Sequence, residues 1–338
     1  MLVSNEVDYF YLTGFTGADS AVIVTPREVH VISDGRFLGE IAAEVPWARA
    51  WIRKGVLHDE IARACGELRI KKLAVQPGRF TLTDKAELKR RMHGLRIEIA
   101  PPVAENMRRL KSAEELSALA KAIRVAEVAF RATLDTIRIG QTELEMAARI
   151  EYEMKRRGAS APAFNTICAE GANAAVPHAV PGTRKVKKGS AILFDWGAKV
   201  AGYHSDLTRM VFVGSIPPRI RKIYGVVLDA QQAAVAAVRP GARMCDVDSV
   251  ARKIISDAGY GKEFTHGLGH GLGLEVHEAP SLSWRSDEKL VAGMVVTVEP
   301  GIYLSGVGGV RIEDDVLVTP EGNRVLTHLN KSLECAVI

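Results

Sequence analysis

The amino-acid sequence predicts a small α/β domain followed by a larger α+β domain built on an internal pseudo-twofold repeat. Three observations carry this expectation. At 338 residues the chain exceeds the comfortable size of one hydrophobic core. Pro101-Pro102 halts regular structure, and Ser112-Ala-Glu-Glu115 then reads as a capping box that opens a long amphipathic helix. Beyond it, Arg138-Ile-Gly140 can be laid over Arg239-Pro-Gly241, and in both copies a second glycine, Gly158 or Gly259, follows at the same spacing.

The first domain is expected over residues 1–103, a linker over 104–111 and the second domain over 112–338. In the first, the β-rich runs Ala21-Val-Ile-Val-Thr25 and Val29-His-Val-Ile-Ser33 alternate with helical patterns over His58 to Leu68 and Thr83 to Arg91. In the second, the helical patterns Ser112 to Ile137 and Thr142 to Arg157 precede one extended region, and Pro218 to Val238 and Asp246 to Ala258 precede another. The first extended region holds Ala191-Ile-Leu-Phe-Asp-Trp196 and Asp206-Leu-Thr-Arg-Met-Val-Phe-Val213. The second holds Met294-Val-Val-Thr-Val-Glu299 and Val310-Arg-Ile-Glu-Asp-Asp-Val-Leu-Val318. Each reads as a pair of strands carrying two acids, so the repeat predicts that the two strand pairs meet.

Composition narrows the class. With 47% hydrophobic and 25% charged residues, disorder and fibrous structure are excluded. The formal charge of +5 is small for this length, its basic residues lie in short clusters within helical patterns, and no DNA-reading helix or aromatic-basic motif accompanies it, so no nucleic-acid partner is expected. The four cysteines form no CxxC pair, which points to a reducing compartment rather than to disulfides or a thiolate metal site. No apolar run approaches a membrane span and the start lacks a secretory pattern, so the expected location is cytoplasmic, away from any membrane.

The acids carry the chemistry. Asp195 interrupts an apolar strand, Asp206 opens the returning one, and Glu299 and Glu313 recur at the matching places of the second half, in β-forming surroundings that should be buried. Converging carboxylates raise one another's pKa unless positive charge compensates, and two divalent ions would bring four positive charges to four negative ones. An oxygen-rich donor set with an imidazole suits Mn²⁺ first, with Co²⁺, Fe²⁺ and Zn²⁺ also accommodated. In Thr265-His-Gly-Leu-Gly-His-Gly-Leu-Gly-Leu-Glu-Val-His-Glu-Ala-Pro280, His266, His270 and His277 fall among glycines that let backbone approach a ligand, and His178 in Val176-Pro-His-Ala179 adds a fourth. The segment lacks the Gly-Lys-Ser/Thr of a phosphate loop and the spacing of a His-Glu-x-x-His zinc helix.

Taken together, these motifs resemble the Xaa-Pro aminopeptidase and prolidase branch of the pita-bread metallopeptidases, family M24, over nearly the whole chain. Asp195, Asp206, His270, Glu299 and Glu313 sit in that family's five metal-ligand contexts, His266-Gly-Leu-Gly-His-Gly271 resembles its proline-specific branch, and Tyr11-Leu-Thr-Gly-Phe15 resembles its creatinase-like small domain. The resemblance implies that Asp206 and Glu313 bridge two ions, that Asp195 serves one, and that His270 and Glu299 serve the other, with a bridging water or hydroxide as nucleophile. It further implies that His178 and His277 stabilise the oxyanion, that His266 handles protons on the leaving side, and that Glu299 takes the proton of the water. Tyr303 and Arg311 stand where the family has groups that orient the metal-bound carboxylates, although surface or packing roles fit the sequence equally.

The implied activity is release of the first residue from short peptides with proline second, by a homodimer. Only ten residues precede Tyr11, so the small domain is expected to be shortened. Some prolidases, which accept only dipeptides, carry an arginine just after the His-Glu-x-Pro stretch; this chain has Ser281 there, with Arg285 the nearest arginine. Loss of such a charge-assisted contact favours aminopeptidase over prolidase, the alternative. A peptide-binding relative without catalysis and a metal-free creatine-hydrolysing relative are further readings, and both typically lack ligands that this chain has.

Overall fold

Alternation along short apolar strands builds the N-terminal unit, Met1–Arg108, of the computed structural model, which describes all 338 residues. Its strands are β1 (Leu2–Val3), β2 (Ala21–Val24), β3 (Val29–Asp34), β4 (Arg49–Arg53), β5 (Lys72–Val75) and β6 (Arg96–Ile99), in the sheet order β4-β3-β2-β1-β5-β6. Successive residues face opposite sides: Leu2, Ile23 and Ile32 join one core cluster, and Val3, Val22 and Val31 the other. Helices α1 (Glu6–Thr13), α2 (Leu38–Glu44), α3 (Leu57–Glu67) and α4 (Leu82–Arg91) supply the covering side chains, so strands apolar on both faces are buried on both. Helices α1 and α2 were not legible from periodicity; α1 ends at Gly14, whose φ of +79° is the left-handed cap that a side chain resists.

The expected linker is partly ordered. Val103–Arg108 forms a helix, α5, because Arg108 is buried on Asp8, to which its guanidinium donates at 2.8 Å, while Gln76 donates to the other carboxylate oxygen at 2.7 Å. The break between the two units follows Arg108.

In the second unit, Arg109–Ile338, the capping box at Ser112 and Glu115 opens α6 (Ala113–Leu134), and a second at Thr142 and Glu145 opens α7 (Glu143–Lys155). These helices are followed by β7 (Ala161–Pro162), β8 (Ile167–Glu170), β9 (Ala191–Trp196), β10 (Ala198–Val200), β11 (Tyr203–His204) and β12 (Leu207–Phe212). Helices α8 (Pro218–Ala237) and α9 (Met244–Asp257) begin the second half, followed by β13 (Gly269–Gly271), β14 (Glu278–Leu282), β15 (Val295–Val298), β16 (Gly301–Leu304), β17 (Gly308–Arg311), β18 (Asp314–Thr319) and β19 (Gly322–Val325). The halves present a β12-β9-β8 sheet and a β14-β13-β15-β18-β19 sheet, the pseudo-twofold pita-bread arrangement.

Strand β9 explains how the halves make a site. Ile192, Phe194 and Trp196 point into one core cluster, where Trp196 stacks on Phe130 with ring centroids 4.3 Å apart. Leu193 points the other way, into a cluster that includes Val296, Val298, Ile312 and Val316 of the second half, and Asp195 shares its face by alternation.

Candidate metal centre

Asp195 lies mid-strand in β9, paired to Thr208 on one side and Ile167 on the other, and is 8% exposed. The other three acids flank strands rather than sit within them, which corrects the expectation of two acids inside each strand pair. Asp206 precedes β12, Glu299 follows β15, and Glu313 falls in a break between β17 and β18. The predicted single strand Val310 to Val318 divides there because β17 pairs with β16 while β18 pairs with β15, so the chain must change sheets at Ile312 and Glu313. Glu313 keeps its place by donating its N–H to Thr208 O at 3.3 Å and accepting from Thr208 Oγ1 at 2.7 Å.

His270 is the middle residue of β13, held close to β15 by glycines with no room for a side chain. A Cβ on Gly269 would stand 2.0 Å from Thr297 O, and one on Gly271 2.4 Å from Ala279 O. The imidazole Nε2 lies 3.3 Å from Glu299 Oε1 and 3.7 Å from Asp206 Oδ2, and donor atoms of Asp206, His270 and Glu313 all fall within 4.8 Å of one another. Arg311 pairs with Asp195 through one carboxylate oxygen and leaves Asp195 Oδ1 buried without a hydrogen bond.

The protein alone does not neutralise this cluster. Burial, then repulsion from Glu313 and Asp195, holds Asp206 well above the usual carboxylate range; burial, then Glu299 and Asp195, does the same to Glu313. Asp195 is raised by burial although Arg311 opposes the shift. Burial would raise Glu299 as well, but the hydrogen bond and charge of His270 override it and bring the carboxyl to about 2. Burial would lower His270, and the same Glu299 contact raises it instead. Surplus buried acid, an orphaned carboxylate oxygen and a single imidazole together fit divalent cations.

The same cleft, about 1170 Å³, is lined by His178, His266, His277 and Arg311 as well as the five ligand candidates. His277 stands 4.1 Å from His270 ring to ring, and burial followed by the His270 charge lowers its pKa. Burial also lowers His266, whose Nε2 is 2.9 Å from the Tyr303 hydroxyl. Arg311 donates to that hydroxyl at 2.9 Å, and burial raises the phenol to about 12. Two threonines escaped the sequence reading. Thr208 ties Glu313 and Arg311 together, and Thr297 donates to Glu299 Oε1 at 3.2 Å while accepting the His270 N–H at 3.1 Å. Each lies two positions from a ligand candidate, on the same side of an extended chain, and that period is the signal that could have found them.

A family model for the creatinase/prolidase N-terminal domain matches residues 1–110, and the model for metallopeptidase family M24 matches residues 117–320. The chain belongs to metallopeptidase family M24. It is 42% identical to a Xaa-Pro dipeptidase of Pyrococcus horikoshii over 73% of this chain and 70% of that one. Among solved structures, a Xaa-Pro dipeptidase from Bacillus anthracis superposes with a TM-score of 0.95 at 36% identity, covering 100% of this chain and 94% of the other. An X-Pro aminopeptidase from Thermotoga maritima superposes at 0.92 with 35% identity, covering 99% and 95%. M24 membership implies divalent metal ions, in keeping with the donor set described.

Proposed function

We propose that this M24 hydrolase is an Xaa-Pro aminopeptidase using two divalent ions, with Mn²⁺ the first candidate. The observation that carries the reading is the meeting of Asp195, Asp206, His270, Glu299 and Glu313 with His178, His266 and His277 in one cleft. Asp195, Asp206, His270, Glu299 and Glu313 would hold the ions. When bound, the ions supply Lewis acidity toward the scissile carbonyl and acidify water near neutral pH.

The remaining chemistry belongs to side chains. Glu299, held ionised, accepts the proton of the attacking water. His178 and His277 donate toward the oxygen that gains charge in the tetrahedral transition state, and His266 passes a proton to the departing proline nitrogen. Arg311 and Tyr303 fix Asp195 and His266 in place. A proline amide has no N–H and cannot pair as other peptide bonds do, so recognition falls to the ring and to compact side chains around it.

Peptides longer than two residues are favoured by the neutral Ser281 in the cleft wall and by a volume above the roughly 300–1,000 Å³ typical of small-ligand sites. The names of several relatives favour the second reading, Xaa-Pro dipeptidase. Hydrolysis of Gly-Pro and of Arg-Pro-Pro with Mn²⁺, repeated with a chelator, tests both. Tripeptide cleavage alone supports the aminopeptidase, dipeptide cleavage alone supports the dipeptidase, and no metal-dependent cleavage of either favours a binding-only relative. The homodimer belongs to the same reading, and light scattering at working concentration tests it.

A further inference from the structure

Helix α9 carries Asp248 and Arg252 one turn apart on one face. Asp248 is fully buried, and a buried carboxylate needs partners. Arg252 supplies two of them, its Nε donating to Asp248 Oδ2 at 2.8 Å and its Nη2 to Oδ1 at 2.9 Å. The rest of the fork reaches backbone: Nη1 donates to Phe264 O at 3.0 Å and Nη2 to His266 O at 2.9 Å. The guanidinium also lies between two aromatic rings, 4.2 Å from the Phe264 centroid and 4.5 Å from that of Trp284, so it is held on its faces as well as its edges.

Asp248 reaches His266 by a second route. Its Oδ1 accepts the Leu268 N–H at 3.0 Å, and that N–H shares one planar trans peptide with the Gly267 carbonyl. The carbonyl points the opposite way and lies 2.8 Å from His266 Nδ1. A carbonyl only accepts, so Nδ1 is a ring nitrogen that carries a proton, and Nε2 faces the Tyr303 hydroxyl at 2.9 Å. The Phe264 ring meets the imidazole edge to face, with centroids 5.1 Å apart. Neither Asp248 nor Arg252 lines the cleft, whereas His266 does, so the pair acts on the site through the chain around that histidine.

We propose that Asp248 and Arg252 are positioning residues for His266, Asp248 through the Gly267–Leu268 peptide plane and Arg252 through the His266 carbonyl and the Phe264 ring. Together they commit the imidazole to the form protonated on Nδ1, with Nε2 turned to Tyr303. The proposal rests on the part given to His266 in peptide hydrolysis, so its test has one arm that needs no turnover. Hydrolysis of Arg-Pro-Pro by the Mn²⁺-loaded enzyme is measured for Arg252→Met, Arg252→Lys and Asp248→Asn, each with and without His266→Ala. Nitrogen NMR of the Zn²⁺-loaded, histidine-labelled protein reads which ring nitrogen of His266 is protonated, its resonances identified by their loss in His266→Ala.

Arg252→Met should lower kcat about tenfold, with KM within about twofold and metal content unchanged, because a misplaced proton donor costs turnover rather than binding. Asp248→Asn should act alike, since its NH₂ must face a donor, either the Leu268 N–H or the Arg252 fork. Arg252→Lys, which keeps the charge without the fork, should fall between. With His266→Ala already present, each substitution should change kcat by less than about twofold. Equal losses with and without His266, full kcat in Arg252→Met, or a wild-type His266 protonated on Nε2 alone overturns the positioning role. Absence of metal-dependent cleavage by the wild type overturns the peptidase reading, and NMR then decides the rest. Nδ1 protonation that is lost in Arg252→Met sustains the positioning role, and an unchanged tautomer overturns it.

Discussion

The two halves of the second unit bring candidate ligands to one place by different means. In the first half Asp195 is held by a ladder on both sides, between β8 and β12, and its direction follows from strand alternation alone. In the second half, position depends on departures from regular strand: His270 sits in a three-residue strand whose register shifts before Gly271, Glu299 follows the end of β15, and Glu313 occupies a strand break. Periodicity sets Asp195, and irregularities that only packing against the first half can hold set the donors of the second. The second half should therefore be the more sensitive to backbone change and the first to loss of a strand side chain.

The largest effect is expected from Glu313→Ala, which removes a proposed metal ligand at the seam between the halves. Metal content by mass spectrometry and Xaa-Pro hydrolysis should both fall below detection; a variant with full activity would sink the assigned site. Next comes Gly269→Ala, whose new Cβ would collide with Thr297 O. It should cost about 3 kcal/mol by denaturant unfolding, whereas Gly322→Ala, in open space on β19, should cost under about 1 kcal/mol. Equal costs would show that the close approach of β13 to β15 does not constrain the second half.

His277→Ala should retain metal while slowing kcat by about 10²-fold, as expected for a lost transition-state contact. Metal loss in that variant would move His277 into the ligand set. The smallest effects are expected from the paired threonines. Thr208→Val and Thr297→Val should each weaken metal affinity by about tenfold, with Thr208→Ser and Thr297→Ser recovering most of it, as measured by competitive chelation. Unaltered affinity in Thr297→Val alone would show that the second half orients its ligands through backbone rather than hydroxyl contacts.

Much of the fold was legible. Ser112 with Glu115 marked the start of α6, because a capping box is written in adjacent residues, and the repeat of helix pair and strand pair was visible from Gly140, Gly158, Gly241 and Gly259. Helix α5 was missed because the burial of Arg108 on Asp8 joins residues a hundred positions apart, with no local signature. The strand break at Glu313 was missed for a related reason: Val310 to Val318 is β-forming throughout, and only the choice of pairing partners divides it.

The sequence by itself determined the residue chemistry: acids inside apolar strands, histidines among glycines, and family signatures local enough to read by eye. Tertiary structure alone decided which donors share a site and which carboxylate Arg311 takes. The physical reason is that propensity and periodicity act over a few neighbouring residues. Burial, electrostatic repulsion and ion pairing depend on distances that exist only after the two halves have packed.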